Sequence, residues 1–476
     1  MEASLPIFAG VKPKTEAVPS AARPTAHAPS LTLPLRFMAT GLIALSCGIA
    51  WLVAQPMILA TYHYTPQAVA ATHLFVLGWI ATVIMGAMYQ LAPVALETRL
   101  YSERLARWQF VFHVVGFAGM VWMFRVWNMP QVGHFACLLG VGFALFAYNI
   151  ARTLWLAPKK TVAAWSMAAA LFWICFTGVA GLSIAAGKCV YDDVDKFPVT
   201  SAVGALLHGL RAVGHFVSRF APMGAMHAHA HLGLVGFILM LMVGISYKLI
   251  PMFILSEIQN ARRAAWSIAL LNIGLAGAFL SILLQNRWKP IFAVVIVSAL
   301  ILYGCELAAI LRARKRRALD WGVRYFLAAI LWLVAVSIIG LVLSWPGLRW
   351  TDFTGQLENV YGFIAVMGVV SFAIIGMLYK IAPFLVWFGV YSPHIGRARV
   401  PALADLYSPR LQAIGFWSFQ AGIVAASAAI LCQNEIGVRT GCGALAVSVG
   451  TLAANLGKMT CHYFRPRILP LQKSTL

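Results

Sequence analysis

The chain has 476 residues, 61% of them hydrophobic and only 11% charged, against roughly 25% charged in soluble domains, which excludes a water-soluble globular fold. Its formal charge of +22 would suggest nucleic acid as a partner in a soluble protein. Here the Lys and Arg follow the connections between apolar runs, and a nucleic-acid role is excluded with the soluble fold.

In chain order, residues 1–33 are rich in Pro, Ala and Thr and contain no long apolar run. They read as a disordered cytoplasmic tail without a cleavable signal peptide. Twelve apolar runs follow, at about 36–60, 66–93, 105–128, 131–155, 162–187, 225–254, 264–285, 289–313, 321–345, 357–389, 411–432 and 438–463. Each is long enough to cross a bilayer as a helix. The expected fold is all-α: a polytopic membrane protein with twelve transmembrane helices in one domain over 34–465, then a cytoplasmic tail at 466–476. Alternate connections hold Arg99, Arg104 and Arg107; Lys159 and Lys160; Arg262 and Arg263; Arg312 to Arg317; Arg397 and Arg399; and Arg465 and Arg467. The opposite connections are nearly bare, so the positive-inside rule puts both termini in the cytoplasm. The eight cysteines are scattered, without CxxC or CxxCH, and read as small core residues rather than disulfides.

The second run, from His73, has Gly78, Gly86, Tyr89 and Pro93 at offsets +5, +13, +16 and +20. The sixth repeats this from His231 with Gly236, Gly244, Tyr247 and Pro251, and the tenth from Phe363 with Gly368, Gly376, Tyr379 and Pro383. One helix recurs three times at every fourth span, which predicts three pseudo-symmetric four-helix units at about 36–155, 162–313 and 321–463. At about 100° per residue the two glycines and the tyrosine share a face suited to close helix packing. The head residue points away, above an apolar wall of Leu77, Ile80, Ile84 and Ala87, or of Val235, Ile238, Met242 and Ile245.

The long connection at about 189–222 carries Asp192, Asp193, Asp195, His208 and His215 and reads as a solvated loop, or as a cap over a site. Lys248 and Lys380 are expected to snorkel to the inner surface, and Glu306 to pair with the basic run from Arg312. The intramembrane histidines stand out, because ionisable groups inside a membrane are seldom there for packing. His227 and His231, at i and i+4, share a helix face and could bind copper, zinc or iron together. His229 points elsewhere and reads as an interfacial residue. His73 repeats the position of His231 and could ligate haem iron, with Met367, one turn below Phe363, as a soft donor. His113 and His134 are weaker candidates of the same kind, and a satisfied core histidine is the competing reading for each.

Twelve spans and the H-x4-G-x14-P helices at spans 2 and 6 resemble subunit I of the haem-copper oxidases, above all the C-type (cbb-type) oxidases and nitric-oxide reductases. The similarity runs from about 36 to 463, with HLGLVGFI at His231 and GMLYKIAP at Gly376–Pro383 as its best-matching stretches. A weaker similarity is to NnrS-type haem- and copper-containing membrane proteins. The resemblance implies b-type haem on His73, copper on His231, a redox or oxygen/nitric-oxide chemistry, a cytochrome or other redox subunit as partner, and a bacterial inner membrane. It departs from the family where span 7 lacks the two adjacent copper-ligating histidines, and where span 10 has Tyr361 and Phe363 in place of two haem-ligating ones. The competing readings are a non-catalytic accessory, assembly or sensor protein that kept the scaffold, and a secondary transporter, whose paired six-span repeats and broken helices are not seen.

Overall fold

The computed structural model describes residues 32–188 and 194–470; the N-terminal tail expectation, Asp192 and Asp193, and residues 471–476 lie outside them. Twelve long helices pack together: α1 Thr32–Ala54, α2 Pro66–Ala95, α3 Glu103–Arg125, α4 Met129–Trp155, α5 Val162–Ala186, α6 Pro222–Ile254, α7 Ala261–Leu283, α8 Lys289–Arg312, α9 Trp321–Leu343, α10 Asp352–His394, α11 Pro409–Leu431 and α12 Glu435–Phe464. All of these except α3 are long and apolar enough to cross a membrane, eleven in total among the described residues. At 23 residues α3 has the length, but Arg104, Arg107, Gln109, His113 and Arg125 dilute its hydropathy. Exposed tryptophans mark both ends of the bundle: Trp108, Trp155, Trp165, Trp266 and Trp417 at one, Trp122, Trp288, Trp345 and Trp350 at the other. Such belts suit the two membrane–water interfaces.

Local chemistry sets the helix starts. Ser102, Asn128, Thr161, Asn260, Asp320, Thr351, Ser408 and Asn434 each accept a bond from the N–H three residues on, satisfying donors that a helix start leaves bare. The helix ends repeat as well. α3, α7 and α11 each close on a left-handed residue, Trp127, Gln285 or Gln433. Each is followed by an asparagine whose N–H reaches back into the helix: Asn128 to Met123, Asn286 to Ser281 and Asn434 to Ala429, at 2.9, 3.1 and 2.9 Å. These are Schellman closures.

The packing repeats three times. α1 lies on α2, α5 on α6 and α9 on α10, while α3–α4, α7–α8 and α11–α12 form hairpins. α4 then meets α5, α8 meets α9, and α12 returns to α1, closing a ring around α2, α6 and α10. The repeated glycines make the close contacts. A Cβ on Gly86 would fall 2.3 Å from Phe37, on Gly244 2.0 Å from Ser166, and on Gly376 2.6 Å from the Gly322 carbonyl. Those three partners lie on α1, α5 and α9.

Four features differ from expectation. First, α2, α6 and α10 are not uniformly α-helical: directly after His73, His231 and Phe363 each runs through eight π-helical residues, Leu74–Ala81, Leu232–Leu239 and Ile364–Ser371. The extra residue per turn breaks the constant 100° step. The apolar wall therefore splits: Leu77 and Val235 line a large cavity, whereas Ile84, Ala87, Ile238, Met242 and Ile245 close around a void of about 100 Å³ where the three central helices meet. Second, α10 runs past Pro383 to His394, where α2 and α6 stop within three residues of their proline. Third, the connection before α6 contains a helix, Ala202–Val217, whose Gly214 packs on Ala186 and Gly187. Fourth, only Cys442 of the seven described cysteines is buried; the other six face outward, and all are free. Past α12 the chain is held in place, with Leu469–Pro470 pairing antiparallel to Ala398–Arg399.

Glu306 is fully buried and turns away from the Arg312 run toward Arg263, at 2.7 and 2.8 Å, while accepting the N–H groups of Gln259 and Asn260. Lys380 pairs with Asp320 at 2.5 Å and Lys248 approaches Glu97 at 3.8 Å.

Candidate cofactor and metal sites

The π-helical turns open a cavity of about 1290 Å³ between the central helices and the inner faces of α3 to α5 and α7 to α9. It lies toward the end of the bundle that carries residues 194–221, and its volume is above the range of about 300–1,000 Å³ usual for ligand sites. The walls are mostly apolar. Gly140, Gly178, Gly233 and Gly362 line it; a Cβ would meet open space at Gly362 and no more than ordinary contact, at 3.5–3.9 Å, at the other three. Lys188, Arg287 and Lys289 line it too.

His73, His231, Phe363 and Met367 all line this cavity. The two imidazoles are held alike. His73 Nδ1 lies 2.8 Å from the Val69 carbonyl, and His231 Nδ1 lies 2.7 Å from the His227 carbonyl. Each carbonyl four residues back accepts the Nδ1 proton, which leaves Nε2 as the nitrogen with the lone pair. That is the usual arrangement of a metal-ligating histidine and its supporting partner. His231 Nε2 meets the Tyr361 hydroxyl at 3.3 Å. The His73 ring lies 4.6 Å from that of Phe124.

His227 and His231 share a helix face, but their free nitrogens serve different places. His227 Nε2 faces His63 Nε2 at 3.2 Å, and Glu358 Oε2 stands 3.7 Å from His63 and 3.8 Å from His227. These three side chains group at metal-ligand spacing. His63 comes from the connection between α1 and α2, His227 from the first turns of α6, and Glu358 from the start of α10. Burial lowers the pKa of His63 below its ordinary value, with Asn359 pulling the other way, which favours the neutral ring that metals bind.

The remaining histidines separate clearly. His113 is a structural residue: its Nε2 sits 2.9 Å from the Thr82 hydroxyl and 3.2 Å from the Leu77 carbonyl, inside the π-helical turn of α2. His134 is exposed at the start of α4. His229 turns against Gly181 of α5 and lines the cavity, with its Nδ1 buried and unpartnered. Reading the sequence assigned no role to His63, Glu358 or His229. The available signal was three consecutive odd-numbered histidines, His227, His229 and His231, on a helix start.

No family model and no curated protein matches the chain. Among solved structures, a haem-copper terminal oxidase determined as a dimer by cryo-electron microscopy superposes with a TM-score of 0.64 at 12% identity. The match covers 90% of this chain and 84% of that one. The all-α, polytopic fold is therefore that of a haem-copper oxidase.

Proposed function

We propose that the chain is an integral membrane haem protein of redox or diatomic-gas chemistry, in which the large cavity would take haem and His73 would hold its iron. The observation that carries this reading is the pair of imidazoles held alike: His73 and His231 both spend Nδ1 on a carbonyl four residues back and line one apolar cavity, and Nε2 is free at His73 and meets the Tyr361 hydroxyl at His231. A structural histidine such as His113 has its Nε2 engaged by its neighbours; His73 does not. The residues present fit a flat macrocycle. Glycines leave room beside apolar walls, Met367 and His229 supply further donors on the cavity surface, and Lys188, Arg287 and Lys289 suit the carboxylates of a porphyrin. Bound haem would supply one-electron chemistry and a site for a small gas. The chain's part is to orient the ring through Val69, exclude water with the apolar wall, and limit access from the mouth.

Copper at His231, as the resemblance implies, would exchange the Tyr361 hydrogen bond for a metal bond. Partners would be the lipid bilayer and a cytochrome or other redox subunit, in a bacterial inner membrane with both termini cytoplasmic.

The test is the visible spectrum of full-length protein made with ample haem. A Soret band that shifts with carbon monoxide or nitric oxide is expected. His73→Ala should lower haem content about tenfold or more, and His113→Ala should leave the spectrum in place. Wild-type protein without haem would overturn the reading in favour of an accessory, assembly or sensor scaffold.

A further inference from the structure

We propose that His63, His227 and Glu358 form a binding site for one divalent late first-row metal ion, zinc by its donor set, at the mouth of the large cavity. The site is separate from the haem reading and stands or falls without it.

Spacing is the first argument. Donors held at about 2.0–2.2 Å around a tetrahedral ion stand roughly 3.3–3.6 Å apart. The three pairs here stand at 3.2, 3.7 and 3.8 Å, so an ion needs only tenths of an ångström of adjustment. Two imidazoles and one carboxylate with the fourth position open are the donors of open zinc sites.

Polar accounting is the second. Glu358 Oε2 is buried with no hydrogen-bond partner, as is His63 Nδ1. A buried unpartnered carboxylate oxygen is costly, and a bound cation removes that cost. The two Nε2 atoms face each other at 3.2 Å, where only one of them can carry a proton. Both can be lone pairs toward a shared cation.

Support is the third. The His63 connection is pinned to α10 beside Glu358: Asn359 Nδ2 donates to the Thr61 carbonyl at 2.7 Å and to Gln356 Oε1 at 2.8 Å, and Gln356 Nε2 approaches the Ala60 carbonyl at 3.4 Å. Asn359 Oδ1 has no partner and is available to the His63 ring. The three donors come from the entry to the second helix of three successive repeats of the fold, so one ion would tie the central helices α6 and α10 to the connection that enters α2. Lys289 is the competing cation lining the cavity, and its ammonium donates to Gln285 Oε1 at 2.9 Å.

Full-length protein in detergent, stripped with a chelator, is titrated with zinc alone by calorimetry and elemental analysis. One equivalent per chain is expected. His63→Ala and Glu358→Gln should each weaken binding about tenfold or more, and His231→Ala should leave it intact. Zinc should raise the thermal midpoint of the wild type but not of Glu358→Gln, which removes no volume and so keeps the fold. Wild type that takes up no zinc, or variants at His63 and Glu358 that bind as wild type does, would overturn the site. Loss in His231→Ala with retention in His63→Ala would overturn it in favour of the i, i+4 histidine pair. The haem spectrum of Glu358→Gln, expected unchanged, keeps failure of this site distinct from failure of the haem reading.

Discussion

At the scale of single residues, the same side chain type performs three different jobs here, and its partners decide which. His113 is spent on the Leu77 carbonyl and Thr82, where it fills the widened turn of α2. His73 keeps Nε2 free and His231 turns its Nε2 to the Tyr361 hydroxyl, both at the cavity wall, while His63 and His227 turn theirs on each other. Glu306 shows how costly charge is managed in such an interior. Its carboxylate is fully buried but receives a guanidinium and two backbone N–H groups. Removing the carboxylate takes the acceptor from the Gln259 and Asn260 N–H groups and the partner from the part-exposed Arg263, at about 1–3 kcal/mol for each buried polar group left unpaired. Glu306→Ala should therefore lower the thermal midpoint of the detergent-solubilised protein strongly and leave haem content per folded chain unchanged. A midpoint equal to wild type would show that Arg263 finds water instead.

At the scale of the element, the three central helices show what a repeated sequence can and cannot encode. Their glycines are placed for contact. Gly376 packs where a Cβ would meet the Gly322 carbonyl at 2.6 Å and Tyr325 Cβ at 2.7 Å, neither of which can swing aside. Gly376→Ala should force α9 from α10 and cost about 1–3 kcal/mol, the usual range for overpacking. Gly443 and Gly450 of α12 meet nothing within 4 Å, so Gly443→Ala and Gly450→Ala should change the midpoint little. Equal destabilisation at all three positions, in the same thermal melt, would refute the packing assignment. The π-helical turn is an element-scale device too. Thr82 donates to the Leu77 carbonyl at 2.8 Å, and Thr82→Val removes that donor while keeping the side-chain shape. The expected result is a shifted haem spectrum, since the turn adjoins His73, with protein yield maintained.

At the scale of the whole molecule, three repeats close a ring whose centre is open at one end and tightly packed at the other. The 1290 Å³ cavity and the void of about 100 Å³ lie along the same three helices; the upper one is where chemistry has room. The arrangement of Lys and Arg along the chain predicts which end faces the cytoplasm. Reporter fusions after Lys160 and within Ala202–Val217 should report opposite sides of the membrane, with Lys160 inside. Fusions reporting one side would overturn the orientation, and with it the placing of the cavity mouth on the outer face.

The sequence by itself determined the all-α membrane class, the threefold repeat and the heads of the central helices, because apolar run length and recurring glycines are local, one-dimensional signals. His73, His231 and Phe363 could be read as one set for the same reason: they occupy matching places in a repeat, with Met367 one turn below Phe363. Tertiary structure alone decided the rest. The π-helical turns depend on partners such as His113, 36 residues from the carbonyl it contacts, and they reset which faces line the cavity. The pairing of His63 with His227 and Glu358 spans 164 residues in one step and joins three repeats. No period in the chain carries that information, because the donors sit at different offsets in each repeat and meet only when the ring closes.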